Sequence, residues 1–461
     1  MKKYALFIAF VIVAFASSAQ SLSYQDLALV LAQDADNGSA RYQAMGGAFG
    51  ALGGEASAIH KNPAGGAIAR NSFISSTLSV ANTQTAAVYY GQSTATQKNN
   101  ASIAQLGSVF SFQNPNNSDW RNMALTLNYR VLADFDQHFK AAGNSGVATF
   151  TGFPLDMEDP ATVYENGIEQ RFNNETSGAI TEFSFGLSAA HKNKLFVGAA
   201  LHSYSLKHFQ QSVLKEKNAS ADGNHLYANY YQENNTQGSG FSFSAGMLYK
   251  VSHNFRVGLA YQTATIYSDL TEETNIVDND GFYGDTRISI DEGLEIYDNT
   301  AGSYYPVQGF SYSLATPGKV TASAAIIFHK YGLFSIDYSR KYFTDTQLFD
   351  ADFSSENRFF NTALRNTHNI HMGTEWRLQR FRIRGGYRYE QSADKNAIAS
   401  DHLKRISFGA GYVFGNTTLD LSYSNGSKTS LYNFYPQYDT VNAADLNSDT
   451  RKFSVTLQWA L

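Results

Sequence analysis

The feature that most constrains how this chain can fold is a two-residue alternation of apolar with small or polar side chains. In the segment 181–190, one face would carry Phe183, Phe185, Leu187 and Ala189, and the other Ser184, Gly186, Ser188 and Ala190. A β-strand produces this pattern because successive side chains point to opposite faces. We find fourteen such segments, which begin near Phe73, Ala104, Asn122, Glu182, Leu195, Phe241, Phe255, Val320, Leu333, His368, Phe381, Ile406, Leu419 and Phe453. Each has about ten residues, the length of a tilted membrane strand.

Short and long connections alternate between these segments. Tight turns are found at 192–193, 252–254, 330–332, 378–380 and 415–416, and long polar stretches at 136–180, 207–238, 267–317, 341–366 and 424–450. A soluble β-sandwich, the alternative fold, has no reason to separate its connections in this way. Outer-membrane barrels have short periplasmic turns and longer external loops. The pattern predicts an all-β fold, a 14-stranded antiparallel transmembrane β-barrel over residues 72–461 with long extracellular loops.

The first nineteen residues are typical of a secretory signal peptide. Lys2 and Lys3 precede an apolar run from Tyr4 to Phe15, and small residues follow up to Ala19. A single membrane anchor is the alternative, but the run is shorter than the roughly 20 residues that a spanning helix needs. We expect cleavage after Ala19 and export through the periplasm to the outer membrane of a Gram-negative bacterium. No other run approaches that length in apolar residues, which excludes a helical membrane protein.

Charge and residue types exclude several functions. With 35 basic and 40 acidic residues, the net charge of -5 argues against a nucleic-acid partner. The absence of Cys excludes disulfides and thiolate metal sites. Neither His-Glu-x-x-His nor Gly-x-Ser-x-Gly occurs, so the sequence offers no catalytic residues of those types. We therefore expect no enzymatic activity, no metal site and no cofactor.

Residues 20–71 precede the first strand and do not alternate. Ser23 is positioned to cap a short helix that carries Leu27, Val30 and Leu31 on one face. The run 39–67 that follows is rich in Gly and Ala, which permit tight, irregular backbone. Irregular backbone at membrane depth must be buried in protein or line a water-filled cavity. We expect this segment to form a hatch of short helices and irregular coil that plugs the lumen of the barrel.

Two short motifs in this segment resemble a known family. Gly46-Gly47-Ala48-Phe49, followed by Asn62-Pro63-Ala64-Gly65, is similar to the N-terminal hatch of the FadL/TodX-type outer-membrane transporters. The resemblance implies that Asn62, Pro63 and Ala64 lie in a hatch inside a fourteen-stranded barrel. Gly66 departs from the family pattern, in which an apolar residue such as Leu is usual. We also expect four apolar hatch residues to contact a ligand: Met45, Phe49, Leu52 and Ile59.

The same resemblance implies a function. The chain would be a porin-like channel for passive uptake of hydrophobic small molecules, either long-chain fatty acids or aromatic hydrocarbons, and the hatch would gate it. Its partners would be the hydrophobic ligand, outer-membrane lipid and other outer-membrane proteins. The alternative function is that of a FadL-like scaffold or shuttle component of a protein secretion system, which does not transport.

Two further patterns each allow two interpretations. Arg382, Arg384 and Arg388 share one face of a strand, and Glu375 lies on the neighbouring strand. They form either a ladder for a carboxylate head-group, which Arg pairs with bidentately, or charge pairs that hold the hatch in a polar lumen. The aromatic-rich connections 304–312 and 431–438 either line a capture groove or form small cores of their own loops.

Overall fold

The computed structural model of the protein describes residues 24–34, 37–113, 119–275, 285–291, 293, 295–298, 308–436 and 438–461. The predicted signal peptide, residues 1–19, lies outside these ranges. Across the described ranges, no helix combines the length and the apolar character that crossing a membrane requires.

Short helices and long strands make up the described residues. The helices are α1 (Tyr24–Leu31), α2 (Ala40–Ala44) and α3 (Ser354–Thr362), with 3-10 helices at Ala56–His60, Pro63–Ile68 and Phe343–Asp345. The strands are β1 (Phe73–Tyr89), β2 (Gln92–Gln113), β3 (Trp120–Asp134), β4 (Gln137–Gly143), β5 (Asn166–His191), β6 (Leu195–Ala219), β7 (His225–Lys250), β8 (Phe255–Gln262), β9 (Ile266–Asn275), β10 (Asp285–Ile290), β11 (Glu295–Asp298), β12 (Gln308–Ala315), β13 (Lys319–Phe328), β14 (Gly332–Lys341), β15 (Gln347–Phe349), β16 (Thr367–Leu378), β17 (Phe381–Glu390), β18 (Leu403–Phe414), β19 (Thr417–Tyr432) and β20 (Ala444–Ala460).

Fourteen of these strands close into an antiparallel barrel, which confirms the predicted fold class. In order around the wall they are β1, β2, β3, β5, β6, β7, β8, β13, β14, β16, β17, β18, β19 and β20. The last strand pairs with the first from Phe73↔Ala460 to Val88↔Asp445, so the wall has no free edge there. Closure satisfies the backbone polar groups that an open sheet would expose to lipid.

The wall is apolar outside and polar inside, as the alternation predicts. On β5, Phe183 and Phe185 are 50% and 40% exposed on the outer face, whereas Ser184 between them is fully buried on the lumen side. The lumen face continues with hydrogen-bonded pairs such as Thr77 with Gln105. Lipid therefore meets hydrocarbon, and the polar groups find partners inside the barrel.

Several barrel strands are much longer than the ten residues expected from the sequence, although β8, β13, β14 and β17 have eight to ten. β5, β6 and β7 have 26, 25 and 26 residues. The prediction of a loop over 207–238 is wrong, because β6 and β7 pair without interruption from Leu195↔Tyr249 to Ala219↔His225. The alternation continues beyond the apolar band but carries Lys207 and Lys215 on its outer face, which is suited to water rather than lipid.

Two apolar clusters lie at the end of the barrel where the long connections are. One contains Phe139, Phe172 and Phe434. The other lies around α1 and contains Leu27, Leu31, Phe343, Phe353 and Phe360. The helix predicted from Leu27, Val30 and Leu31 is thus confirmed as α1, and its apolar face packs beneath the long connections at the outer part of the lumen.

Candidate functional site

Residues 37–69, here called the inner segment, lie inside the barrel and contact its wall on many sides. The contacts are spread around the circumference. With the inner-segment atom given first, they are Ala67 O to Asn122 Nδ2 on β3 (2.8 Å), His60 Nδ1 to Glu182 Oε1 on β5 (2.9 Å), Asn62 Nδ2 to Met247 O on β7 (2.9 Å), Gly50 N to Asp337 Oδ2 on β14 (3.1 Å), Ala44 O to Ser407 Oγ on β18 (3.1 Å) and Ala40 N to Thr456 Oγ1 on β20 (2.6 Å). The part of the lumen at the level of the inner segment is therefore filled by backbone whose polar groups the wall satisfies.

Asn62 is the organising residue of the Asn-Pro-Ala motif. Its Oδ1 accepts a hydrogen bond from Ala64 N at 3.1 Å and so caps the 3-10 helix that begins at Pro63. Its Nδ2 donates to Gly50 O and to Met247 O, both at 2.9 Å. Asn suits this position because one amide supplies both the acceptor for the cap and two donor hydrogens. Asn62 thereby joins two parts of the inner segment to strand β7.

Three lumen-facing glycines on the wall make room for this motif. A Cβ on Gly198 would lie 2.6 Å from Ala64 N, and one on Gly258 would lie 2.5 Å from Gly50 O. A Cβ on Gly246 would overlap Asn62 Oδ1. Gly198 and Gly246 are register partners on β6 and β7, so they form one flat patch. We did not predict this patch from the sequence, although small residues at successive lumen positions indicate close packing against the wall.

Gly66 lies against the wall in the same close manner. A Cβ there would lie 2.6 Å from Thr126 Oγ1 and 2.7 Å from Ser188 Oγ. The departure of this position from the family pattern therefore has a local reason, since a Leu side chain would not fit between β3 and β5.

A buried polar network ties the inner segment to β5 and β6. The Glu182 carboxylate lies 2.9 Å from both His60 Nδ1 and His202 Nδ1 and 2.6 Å from Arg130 NH2. Asn128 Nδ2 lies 2.8 Å from His60 Nε2. The three ligand-type atoms of His60, Glu182 and His202 lie within 4.8 Å of one another, as in a metal site. Arg130 already balances the one carboxylate, so a divalent cation would add uncompensated buried charge, and the arrangement favours an ion-paired hydrogen-bond network.

The sequence-predicted charge ladder consists mainly of paired residues. Glu375 accepts from Arg41 Nε of the inner segment and from Arg384 Nε, both at 2.8 Å. Arg384 NH1 also donates to Asp420 at 2.7 Å, and Arg388 Nε donates to Glu390 at 2.6 Å. Arg382 is partly buried on the same face two residues before Arg384. The geometry supports the second interpretation, in which these charges hold the hatch.

The four apolar residues expected to contact a ligand are packed inside the protein. Met45, Phe49, Leu52 and Ile59 are at most 4% exposed. The first three share a cluster with Tyr42. None of the four lines either of the two cavities described below. Their contact with a ligand stays a prediction and would require the inner segment to rearrange.

A cavity of about 1390 Å³ occupies the outer half of the lumen. Its floor includes Leu29 and Val30 of α1. The remaining lining mixes polar and charged side chains, such as Lys98, Asp134 and Arg405, with apolar ones: Leu132, Phe135, Phe139, Phe310, Phe343, Phe359, Leu364, Leu403, Leu431 and Leu446. This volume is larger than the roughly 300–1,000 Å³ of common ligand sites and would hold an extended hydrocarbon.

The wall is interrupted beside this cavity, between β2 and β3. The ladder of these two strands ends at Gln105↔Arg130. Further outward, Thr96 Oγ1 donates to His138 O at 2.6 Å and brings the chain segments together again. A register shift between Val131 and Ala133 lets β3 turn toward β5 and away from β2.

The opening between these two contacts, here called the wall gap, is continuous with the cavity. The cavity lining includes Asn100 and Ser102 on the β2 side, and Leu132, Ala133 and Asp134 on the β3 side. Asn100 Nδ2 donates a hydrogen bond to Asp134 across the wall gap. Side chains rather than a backbone ladder therefore close the wall here.

The aromatic-rich connections both pack in an apolar cluster and line the large cavity, and their role in capturing a ligand stays a prediction. Phe434 and Tyr435 are buried in the apolar cluster that contains Phe139. In this cluster Phe434 stacks on Phe172 with ring centroids 4.7 Å apart. Leu431 and Pro436, from the same connection, line the cavity. In the other connection, Phe310 lines the cavity, while residues 304–307 lie outside the described ranges.

Comparison with known proteins identifies relatives of this architecture. A family model described as outer membrane protein transport protein (OMPP1/FadL/TodX) matches residues 161–442, more than half of the chain. A FadL homologue from Pseudomonas aeruginosa superposes with a TM-score of 0.56 at 14% identity, covering 93% of this chain and 99% of that one. No curated protein matches the sequence.

Two solved toluene transporters have the same fold. TodX from P. putida superposes with a TM-score of 0.50 at 14% identity, over 93% of this chain and 99% of its own. TbuX from Ralstonia pickettii has a TM-score of 0.50 at 15% identity, over 92% of this chain and 99% of its own. At this identity the likeness concerns the fold alone.

Proposed function

The chain belongs to the outer membrane protein transport protein family (OMPP1/FadL/TodX), and from this premise we propose that it is a passive outer-membrane channel for hydrophobic small molecules. The ligands would be long-chain fatty acids or aromatic hydrocarbons. Two solved structures with the same fold are toluene transporters, which supports the aromatic class. The protein would act in the outer membrane of a Gram-negative bacterium after removal of its signal peptide.

The observation that carries this proposal is the combination of the cavity with the wall gap. The cavity is lined by long-connection residues such as Leu431 at one end and by Ser102 and Ala133 of the wall gap at the side. An apolar ligand that packs against the apolar part of this lining gains roughly 0.8 kcal/mol per buried methylene on leaving water. It would then move sideways into the bilayer without crossing the water on the inner side of the membrane.

The N-terminal hatch would gate this path through α1. The helix lies on the cavity floor and buries Leu27 and Leu31 in an apolar cluster. The inner segment behind it is held by hydrogen bonds around the whole wall, such as those of Asn62. We infer that α1 is the part that moves and that the inner segment keeps the lumen closed to ions.

Uptake by whole cells tests the proposal. A strain that lacks this protein should take up a radiolabelled long-chain fatty acid or toluene more slowly than the same strain carrying the wild-type gene. Equal uptake by the two strains would contradict transport of these ligands. Co-purification of a secretion translocon together with equal uptake would support the scaffold function instead.

A further inference from the structure

The outer end of the hatch is held by one carboxylate among several cations. The Asp34 side chain lies just after α1, and its Oδ1 is 3.3 Å from both Lys319 Nζ and Lys341 Nζ. Its Oδ2 accepts a hydrogen bond from Asn369 Nδ2 at 3.0 Å. Arg388 NH2 donates to Asp34 O at 3.3 Å. Three wall strands, β14, β16 and β17, and the outer end of β13 therefore converge on this residue.

Asp34 also stands between two cavities. It lines the large cavity, and it lines a second cavity of about 50 Å³ that lies behind it. The smaller cavity is bordered by four cationic side chains, Lys61, Arg130, Lys319 and Lys341. A volume of this size holds a small polar group rather than a hydrocarbon chain.

The charges around Asp34 favour an anion at its position. Burial on its own raises the pKa of the Asp34 carboxyl, but Lys319, Lys341, Lys61 and Arg388 outweigh burial and hold the pKa well below its usual range. Lys341 is only 7% exposed, and its ammonium also donates to Ala32 O of the hatch. Buried ammonium groups need a counter-charge. Glu390, which pairs with Arg388, also acts on Lys341, but Asp34 is the carboxylate in contact with both Lys319 and Lys341, so its removal would leave an unoccupied anion site between them.

We propose that Asp34 is the resident occupant of an anion site, and that the acidic head of an amphiphilic ligand takes over its lysines and releases the outer end of the hatch. This rests on the proposed function and deepens it, because it assigns an anionic amphiphile as the ligand class. The hydrocarbon chain of the ligand would lie in the large cavity while its carboxylate, sulfonate or phosphate group meets Lys319 and Lys341. The exchange is balanced in charge, since one anion replaces another.

The exchange links ligand binding to gating. The Lys341 ammonium donates to Ala32 O and to the Asp34 carboxylate, which both lie just after α1. Helix α1 in turn forms part of the floor of the large cavity. A ligand anion that pairs with Lys341 removes this attachment only when it is bound. A neutral hydrocarbon occupies the same cavity but leaves the Asp34 pairs intact, and so opens the hatch less.

Equilibrium binding to the full-length protein in lipid nanodiscs tests the exchange. The probes are radiolabelled dodecanoate and dodecanol at pH 8, with binding to empty nanodiscs subtracted. The wild type should bind dodecanoate about tenfold more tightly or better, because a charge-assisted contact adds affinity that the alcohol lacks. Asp34→Asn should increase the affinity for dodecanoate by removing the internal competitor. Lys341→Gln should abolish the preference, Lys341→Arg should largely keep it, and the exposed Lys330→Gln should behave as wild type.

The outcomes separate the exchange from the underlying function. Binding of neither probe would contradict the proposed function itself. Equal binding of the two probes by the wild type, or weaker dodecanoate binding by Asp34→Asn, would overturn the exchange while leaving uptake of hydrophobic molecules standing. Full competition by millimolar acetate would overturn the assignment to amphiphiles and mark the site as one for free small anions. Heat-modifiable migration in gels verifies that each variant barrel is folded.

Discussion

In the Asn-Pro-Ala motif, the Asn62 side chain forms the hydrogen bonds that attach the hatch to the wall. Its amide donates to two buried carbonyl oxygens and caps a 3-10 helix. Asn62→Ala should weaken docking of the inner segment by about 2–4 kcal/mol, since a buried acceptor left without its donor costs about 1–3 kcal/mol. Trypsin cleavage within the inner segment, followed against urea concentration, measures this as a lower midpoint. Asn82→Ala, which removes an exposed pair with Asn99, is the matched control and should leave the midpoint unchanged.

A midpoint that is the same in Asn62→Ala and in Asn82→Ala would contradict the role of Asn62.

At this scale the sequence predicted the motif but not its partners. Asn62, Pro63 and Ala64 are adjacent in the chain, so their signal is local. The glycine patch that receives them is drawn from strands β6 and β7, and its meaning depends on the register Gly198↔Gly246. Glu182 and Asp34 were missed for the same reason, because their partners are distant in sequence.

At the scale of elements, α1 and the inner segment should behave differently. Deletion of residues 24–34 removes α1 and Asp34 but keeps the contacts of the inner segment. We expect wider access to the large cavity, and therefore faster uptake of labelled dodecanoate with little change in ion conductance in planar bilayers. Deletion of residues 155–158, a mostly exposed part of an outer loop that does not line the cavity, is the control. Slower uptake after loss of α1 would contradict its role as the gate.

A disulfide between the inner segment and the wall tests whether the inner segment stays in place during transport. An ideal Cβ on Gly66 lies 3.8 Å from Ala124 Cβ, which matches disulfide geometry, and the chain has no other Cys. The hydroxyl groups of Thr126 and Ser188 must rotate to admit the new side chain. Oxidised Gly66→Cys/Ala124→Cys should transport as well as its reduced form. Loss of uptake on oxidation, restored by reduction, would show that the whole inner segment has to move.

Element boundaries were predicted unevenly. Every barrel strand was placed from alternation, because the lipid-facing half of each strand must be apolar. The outer halves of β5, β6 and β7 were not recognised, since water-facing positions such as Lys207 carry the composition of a loop. Pairing between neighbouring strands, which extends to Ala219↔His225, decides their structure instead.

At the scale of the whole molecule, the sequence predicted a closed barrel with a filled lumen but no path through it. Alternation and connection lengths are properties of the chain alone, and they suffice for the barrel. The wall gap results from the end of the ladder at Gln105↔Arg130 and from the register shift near Ala133. Both features depend on how separate strands pair, and the residue types in β2 and β3 do not predict them.

The wall gap provides the most direct test of the central claim, that hydrophobic molecules pass from the outer cavity sideways into the bilayer. Ser102 lines the cavity at the wall gap, whereas its neighbour Ala101 is exposed and is not part of the lining. The measurement is the initial rate at which cells lacking the native gene take up radiolabelled dodecanoate when they carry wild type, Ser102→Trp or Ala101→Trp. If ligands leave through the wall gap, uptake should equal the wild-type rate with Ala101→Trp and fall near the rate of the empty strain with Ser102→Trp. Equal uptake by the two Trp variants would contradict exit through the wall gap.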